Sequence, residues 1–278
     1  MKFKFLGTRG SYPTSREENK KYGGSTPCIE VICDDTRIVL DAGTGILNLD
    51  FNYYKAAPRI DILLTHLHMD HIQGLGFFKP LFIPKKEVHI WGPGGTLASL
   101  KSRLNRFLSP PIFPIPLRDI PSNLQIHEIG NKTFNLGPFE ISTRYVIHPG
   151  PTIGYRIKAK GKVLTYIPDH EPMIGSYDLY KENKWISGFE LCDGADVLIH
   201  DGQYTVEEYE KKVGWGHSST SHVLEVGKRA KVKKLFFFHH DPEHSDNFLS
   251  DLLKDVRNDH KGNLKIRMAS QGKSYDVK

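Results

Sequence analysis

A chain of 278 residues with 38% hydrophobic and 25% charged side chains is long enough to bury a sizeable core, which excludes disordered and collagen-like proteins. Lysine and arginine number 38 against 32 acidic residues, for a net charge of +6, so phosphate-bearing and other anionic partners are favoured over cationic ones. No apolar run could span a bilayer and the opening MKFKFLGTRGS lacks the apolar stretch of an export signal, so a cytoplasmic, membrane-free protein is expected.

In chain order, β-rich runs come first: Lys2 to Leu6, Cys28 to Cys33, Arg37 to Asp41, Ile62 to Thr65 and Val88 to Trp91. The spacing of Leu97, Leu100, Leu104 and Phe107 predicts a helix over Thr96 to Phe107. The proline-dense stretch Pro110 to Pro121 is interleaved with Ile112, Phe113 and Leu117 and reads as a packed loop. Later strands are expected at Asp196 to His200 and Leu235 to Phe238, separated by a helix over Ser219 to Lys231. The cysteines Cys28, Cys33 and Cys192 are odd in number, lack metal-finger spacing, and read as reduced, packed thiols.

Two segments share one plan. CIEVIC, the turn Asp34-Asp35 and TRIVLDAG deliver Asp41; TIGYRIKA, the turn Lys160-Gly161 and KVLTYIPDH deliver Asp169. The repeated hairpin predicts a single α/β domain over residues 1–278 made of two similar halves, with two sheets between helical layers.

Chemistry concentrates in IDILLTHLHMDHIQG, where an apolar strand ends at Thr65 and His66, His68, Asp70 and His71 follow. Extended backbone sends His66 and His68 to one side, while Asp70 and His71 begin a helix turned toward a neighbouring point, so two adjacent metal centres are expected. Imidazole and carboxylate donors suit zinc, with manganese or iron as alternatives, and no thiolate marks a structural zinc site. Farther on, GWGHSSTSH places His217 just ahead of a helix start capped by Ser218 or Ser219, where free N–H groups and the helix dipole favour a phosphate. His217 could donate a proton there. His200 and Asp201 end a buried strand and could orient a ligand or His217, and Asp41 could orient His66 or His68. The five basic residues between Lys228 and Lys234 read as a solvated helix cap.

HLHMDH is similar to the HxHxDH motif of the metallo-β-lactamase fold hydrolases, and His148 in YVIHPG, Asp169 in YIPDHE and His239 in LFFFHHDP fall in the order of that superfamily's remaining ligands. The resemblance covers essentially the whole chain. It implies an αββα four-layer sandwich, with His66, His68 and His148 holding one divalent ion, Asp70, His71 and His239 the other, and Asp169 and a hydroxide bridging them. His240 is the rival to His239. Two dications ~3.5–4 Å apart would polarise a phosphoryl oxygen and supply a nucleophile near neutral pH. GHSS resembles the GHST motif of the ribonuclease Z and phosphodiesterase branch, which makes Asp70 and His217 the expected catalytic residues. Arg9 in GTRGS and Ser218 are expected to bind substrate, Arg9 being equally suited to a structural ion pair.

Ribonuclease Z usually carries a long arm for tRNA between the ligands equivalent to His148 and Asp169, and has glycine at the position of Met69. Here that interval is 21 residues, filled by one hairpin. These departures favour a small phosphodiester, a 3′,5′-cyclic nucleotide hydrolysed to its monophosphate with two zinc or manganese ions. A ribonuclease Z-like RNA endonuclease and a non-catalytic metal-binding regulatory protein are the alternatives. Relatives of this fold commonly dimerise, so a homodimer is expected.

Overall fold

The computed structural model describes residues 1–95, 97–174 and 179–278. Its strands are β1 (Lys2–Gly7), β2 (Cys28–Cys33), β3 (Thr36–Leu40), β4 (Arg59–Leu63), β5 (Glu87–Pro93), β6 (Asn123–Ile129), β7 (Lys132–Leu136), β8 (Phe139–Tyr145), β9 (Ile153–Ala159), β10 (Lys162–Ile167), β11 (Val197–Asp201), β12 (Lys234–Phe238), β13 (Lys265–Met268) and β14 (Ser274–Asp276). They form two seven-stranded sheets, ordered β14-β1-β2-β3-β4-β5-β6 and β13-β12-β11-β10-β9-β8-β7. In the first, pairing is antiparallel from β14 to β3 and parallel from β3 to β6; in the second, it is antiparallel from β7 to β10 and parallel from β10 to β13. The β2–β3 and β9–β10 hairpins thus occupy matching places in the two sheets.

Side-chain alternation explains why the sheets stack. In β1, Phe3 and Phe5 point into the space between the sheets, where they meet Phe236 and Phe238 of β12 edge-on or offset. The intervening Leu235 and Phe237 face the other way and pack beneath helices, so β12 is apolar throughout because both its faces are buried. Helices α1 (Phe51–Ala56), α2 (Met69–Ile72) and α3 (Leu100–Phe107) cover the first sheet with Tyr54, Ile72, Leu100 and Leu104, joined by Phe113 and Leu117 from the proline-dense loop. Helices α4 (Phe189–Cys192), α6 (Thr220–Arg229) and α7 (Asp246–Asp259) cover the second, and α5 (Val206–Glu210) precedes α6. The result is the expected α/β four-layer sandwich.

Helix α3 is shorter than its hydrophobic spacing predicts. Ser99 accepts the N–H of Ser102 as N-cap, which starts the helix at Leu100 and leaves Leu97 exposed; Thr96 lies outside the described residues. Strands β6, β7, β8, β13 and β14 escaped the sequence reading because they lie at or next to sheet edges, short or half exposed, without a run of buried positions. No helix among the described residues is long and apolar enough to cross a membrane.

Candidate metal centre

The C-terminal ends of the parallel strands of both sheets converge on one edge, where loops rather than ladders determine side-chain direction. Asp41 follows β3, His66 and His68 follow β4, Asp169 follows β10, Asp201 ends β11 and His239 follows β12. His148 arrives from the β8–β9 loop. Asp41 and His239 adopt positive φ angles of 57° and 59°, so each turns away from its strand in a conformation uncommon outside glycine.

These residues meet. Donor atoms of His66, His68, His148 and Asp169 lie within 4.8 Å of one another, as do those of Asp70, His71 and His239. Asp169 stands between the groups: its Oδ2 is 3.7 Å from His66 Nε2, 3.7 Å from His148 Nε2 and 3.3 Å from His239 Nε2, and its Oδ1 is 3.0 Å from His71 Nε2. Asp70 Oδ2 lies 3.1 Å from His239 Nε2 and accepts the Ser11 N–H at 2.8 Å.

The outer contacts explain why the imidazoles aim inward. His71 Nδ1 donates to Asp41 at 2.9 Å, His148 Nδ1 to the Gly216 carbonyl at 2.7 Å, and His239 Nδ1 to Gln203 Oε1 at 2.9 Å. His66 Nδ1 lies 3.1 Å from the Thr65 hydroxyl, whose own proton is directed at Asp41. Each of these four rings therefore spends Nδ1 on the protein and turns Nε2 to the shared space, the arrangement that fixes a ligand's orientation, while His68 points its Nδ1 inward, 3.0 Å from His148 Nε2. Asp41 is held in turn by the Thr65 N–H and the Tyr166 hydroxyl.

Burial opposes ionisation of Asp169, but His239, His71 and His66 outweigh it and hold the carboxyl well below its usual range; His71 and His239 do the same for Asp70. Burial, aided by neighbouring histidines, depresses His66 and His68, and takes His148 down to about 4, so those rings offer neutral lone pairs. His66 Nε2 is enclosed without a hydrogen-bond partner, and Asp169 Oδ1 finds none of good geometry. Burial opposes the imidazolium of His71, but Asp169, Asp70 and Asp41 outweigh it and raise that ring's pKa, so His71 is the ring whose proton a cation would displace. Ionised carboxylates, the neutral imidazoles of His66, His68 and His148 and an orphaned inward nitrogen make a donor set that fits divalent cations.

His217 borders this cluster. Its Nδ1 is 2.7 Å from Asp201 Oδ2 and 4.0 Å from Asp169 Oδ2, and its ring stacks on His239 at 5.0 Å. Burial disfavours the imidazolium, but Asp201, then Asp169 and Asp70, overcome it and lift the pKa to about 9. Behind it, the buried carboxylate of Glu171 accepts the N–H groups of Gly214 and Gly216 and the Tyr209 hydroxyl, fixing the loop that carries both His217 and the carbonyl gripping His148.

Both expected substrate contacts lie elsewhere. Arg9 is fully buried, bonded to the carbonyls of Gly23, Asp241 and His244 and 3.7 Å from Asp246, so its guanidinium ties loops together and faces no substrate. Ser218 is also fully buried, and its hydroxyl is committed to the His170 carbonyl, while Ser219 is the residue that caps α6. His240 turns from the cluster to the Ala269 carbonyl at 2.9 Å. Asp41 holds His71 and reaches His66 only through Thr65; it does not touch His68. Gln203, Glu171 and Thr65 were missed, although Gln203 in DGQY and Glu171 beside Asp169 are polar residues following buried strands, where such partners occur.

The profile of the beta-lactamase superfamily domain matches residues 36–240. Ribonuclease Z of Thermoplasma acidophilum is 30% identical over 295 aligned positions, covering 91% of this chain and 90% of the relative. The metallo-beta-lactamase fold protein YhfI of Bacillus subtilis superposes with a TM-score of 0.72 at 19% identity, covering 99% of each chain. The short form of human tRNase Z gives 0.68 at 19% identity over the full length of both. Relatives named ribonuclease Z at 26 to 30% identity overturn the expected cyclic nucleotide substrate. That expectation leaned on the short interval between His148 and Asp169, but an arm there would grip substrate from outside and contributes nothing to the convergence of ligands described above. The chain belongs to the beta-lactamase superfamily of metal-dependent hydrolases, in its ribonuclease Z and phosphodiesterase branch.

Proposed function

We propose that the protein is a ribonuclease Z-type endonuclease that hydrolyses a phosphodiester bond in precursor tRNA with two divalent cations, zinc or manganese. The observation that carries this reading is the pairing of the two donor clusters around Asp169 with His217 held by Asp201 at 2.7 Å. His66, His68 and His148 would hold one cation, Asp70, His71 and His239 the other, and Asp169 would bridge them. Cations held there supply Lewis acidity, polarising the phosphoryl oxygen and acidifying water toward a pKa of about 7.

The chain's own residues do the rest. Asp201 keeps the Nδ1 proton of His217 pointed at itself, which leaves Nε2–H free to protonate the departing ribose oxygen. Glu171 keeps the loop bearing His217 in register with His148. The exposed Trp215, in that same loop, offers an aromatic face beside the site on which a base can stack.

The test is incubation of purified protein, reconstituted with Zn²⁺ or Mn²⁺, with a precursor tRNA. Cleavage at a defined position that is lost on chelation and restored by metal is expected. Intact RNA under conditions where the same preparation hydrolyses bis(p-nitrophenyl) phosphate would refute the RNA assignment while leaving the hydrolase standing.

A further inference from the structure

The end of the second sheet opposite the metal centre carries a second feature. A surface cleft of about 590 Å³ opens where β11, β12 and β13 begin, lined by Lys228, Lys231, Lys233, Lys234, Lys265 and Lys278. Asp196 is the single carboxylate side chain in its wall, and it is already paired with Lys233 at 2.7 Å. Six lysines against one aspartate concentrate most of the protein's net charge of +6 in one place. None of the other five lysines has a carboxylate within ion-pair distance among the described residues.

This crowding costs stability. Lys234 and Lys265 are direct cross-strand partners in the parallel β12–β13 pair, and like charges so placed repel. Partial burial, then Arg267, Lys265 and Lys278, lower the proton affinity of Lys234, with Asp276 alone opposing them. His260, in the same wall, has both ring nitrogens enclosed without hydrogen-bond partners. An anion with several acceptor oxygens would relieve the crowding of the lysines.

We infer that this cleft binds the phosphate backbone of the RNA substrate, at a site separate from the metal centre. The inference rests on the RNA reading above. Lysine ammonium groups are point charges suited to phosphate and carry no base specificity, and apart from His260 the wall contains no ring on which a base could stack. The ligand is therefore a sugar-phosphate chain and not a free nucleotide. Lys234 opens the strand that His239 follows, so the two sites are about 16 Å apart along β12 at ~3.3 Å per residue, a distance one RNA molecule readily spans.

The experiment compares the holoenzyme with the triple variant Lys231→Gln, Lys234→Gln, Lys265→Gln, and with the corresponding triple Arg variant, on precursor tRNA between roughly 50 and 200 mM KCl. Each phosphate contact removed flattens the plot of log(kcat/KM) against log[KCl] by about 0.7, so the Gln variant should show a slope shallower by about 2, through KM and not kcat, while the Arg variant keeps the parent slope. Hydrolysis of bis(p-nitrophenyl) phosphate reports the state of the centre in each protein. A parent that cleaves RNA together with a Gln variant of unchanged slope overturns the cleft assignment and leaves the RNA reading intact. A parent that hydrolyses the small ester but neither cleaves nor binds RNA overturns both.

Discussion

Asp201 and His217 form the contact most directly tied to turnover, because a carboxylate 2.7 Å from Nδ1 both orients the ring and keeps it protonated. His217→Ala should lower the cleavage rate by about 10²- to 10⁴-fold, the usual contribution of a positioned acid, while cation content measured by plasma mass spectrometry stays at the parent value. Asp70→Ala or Asp169→Ala should instead lose cation and activity together, which separates a ligand from a proton donor. The thiols behave in the opposite sense, as inert filler. Burial pushes Cys192 up to about 12 from an ordinary value of 9.0. The fold therefore favours its neutral form: that contribution is fully present below pH about 9 and is lost as pH rises toward 12. Cys28, Cys33 and Cys192 are all buried, so a thiol reagent near pH 8 should label none of them in native protein and all of them after denaturation.

At the level of elements, the glycine loop before α6 decides whether the centre assembles. Gly216 has φ +84°, and a Cβ there would stand 2.4 Å from His148 Nδ1, so alanine both strains the backbone and displaces a donor ring. Gly216→Ala should weaken cation binding by roughly 10- to 100-fold, the range for disturbing a ligand's outer partner, as read by competition with a chromogenic chelator. Ser219→Ala should cost about 1 kcal/mol of stability in urea unfolding, since the hydroxyl caps the His222 N–H at the start of α6. The helix signals here were legible because capping is local: Ser219 and its following apolar stripe lie within a few residues. The same locality misled at Thr96 to Phe107, where apolar spacing extended the helix past the point at which Ser99 begins it.

For the whole molecule, the cations and the fold are thermodynamically linked, because Asp70, Asp169 and the imidazoles of His66, His71, His148 and His239 are buried together in the folded chain alone. Chelation should abolish hydrolysis and lower the melting temperature by roughly 5 to 10 °C, the shift expected when a ligand near 100 times its Kd is removed from a domain of this size; readdition of Zn²⁺ or Mn²⁺ should reverse both in a thermal scan.

The sequence by itself determined the hairpins that carry Asp41 and Asp169, the apolar strands, and the dense His66 to His71 segment, since alternation and motif spacing are properties of neighbouring residues. His148, Asp169 and His239 could be ordered by resemblance, but their meeting within a few ångströms depends on two sheets closing on a common edge. Arg9 shows the limit: GTRGS displays a guanidinium near the site, and only packing shows it spent on carbonyls of Gly23, Asp241 and His244. Lys228 to Lys234 read as a solvated cap for the same reason, because Lys265 and Lys278 join them only when β13 and the chain's last residues fold alongside. Local geometry is encoded within a few bonds, whereas charge and coordination depend on groups brought together through space, which tertiary structure alone decides.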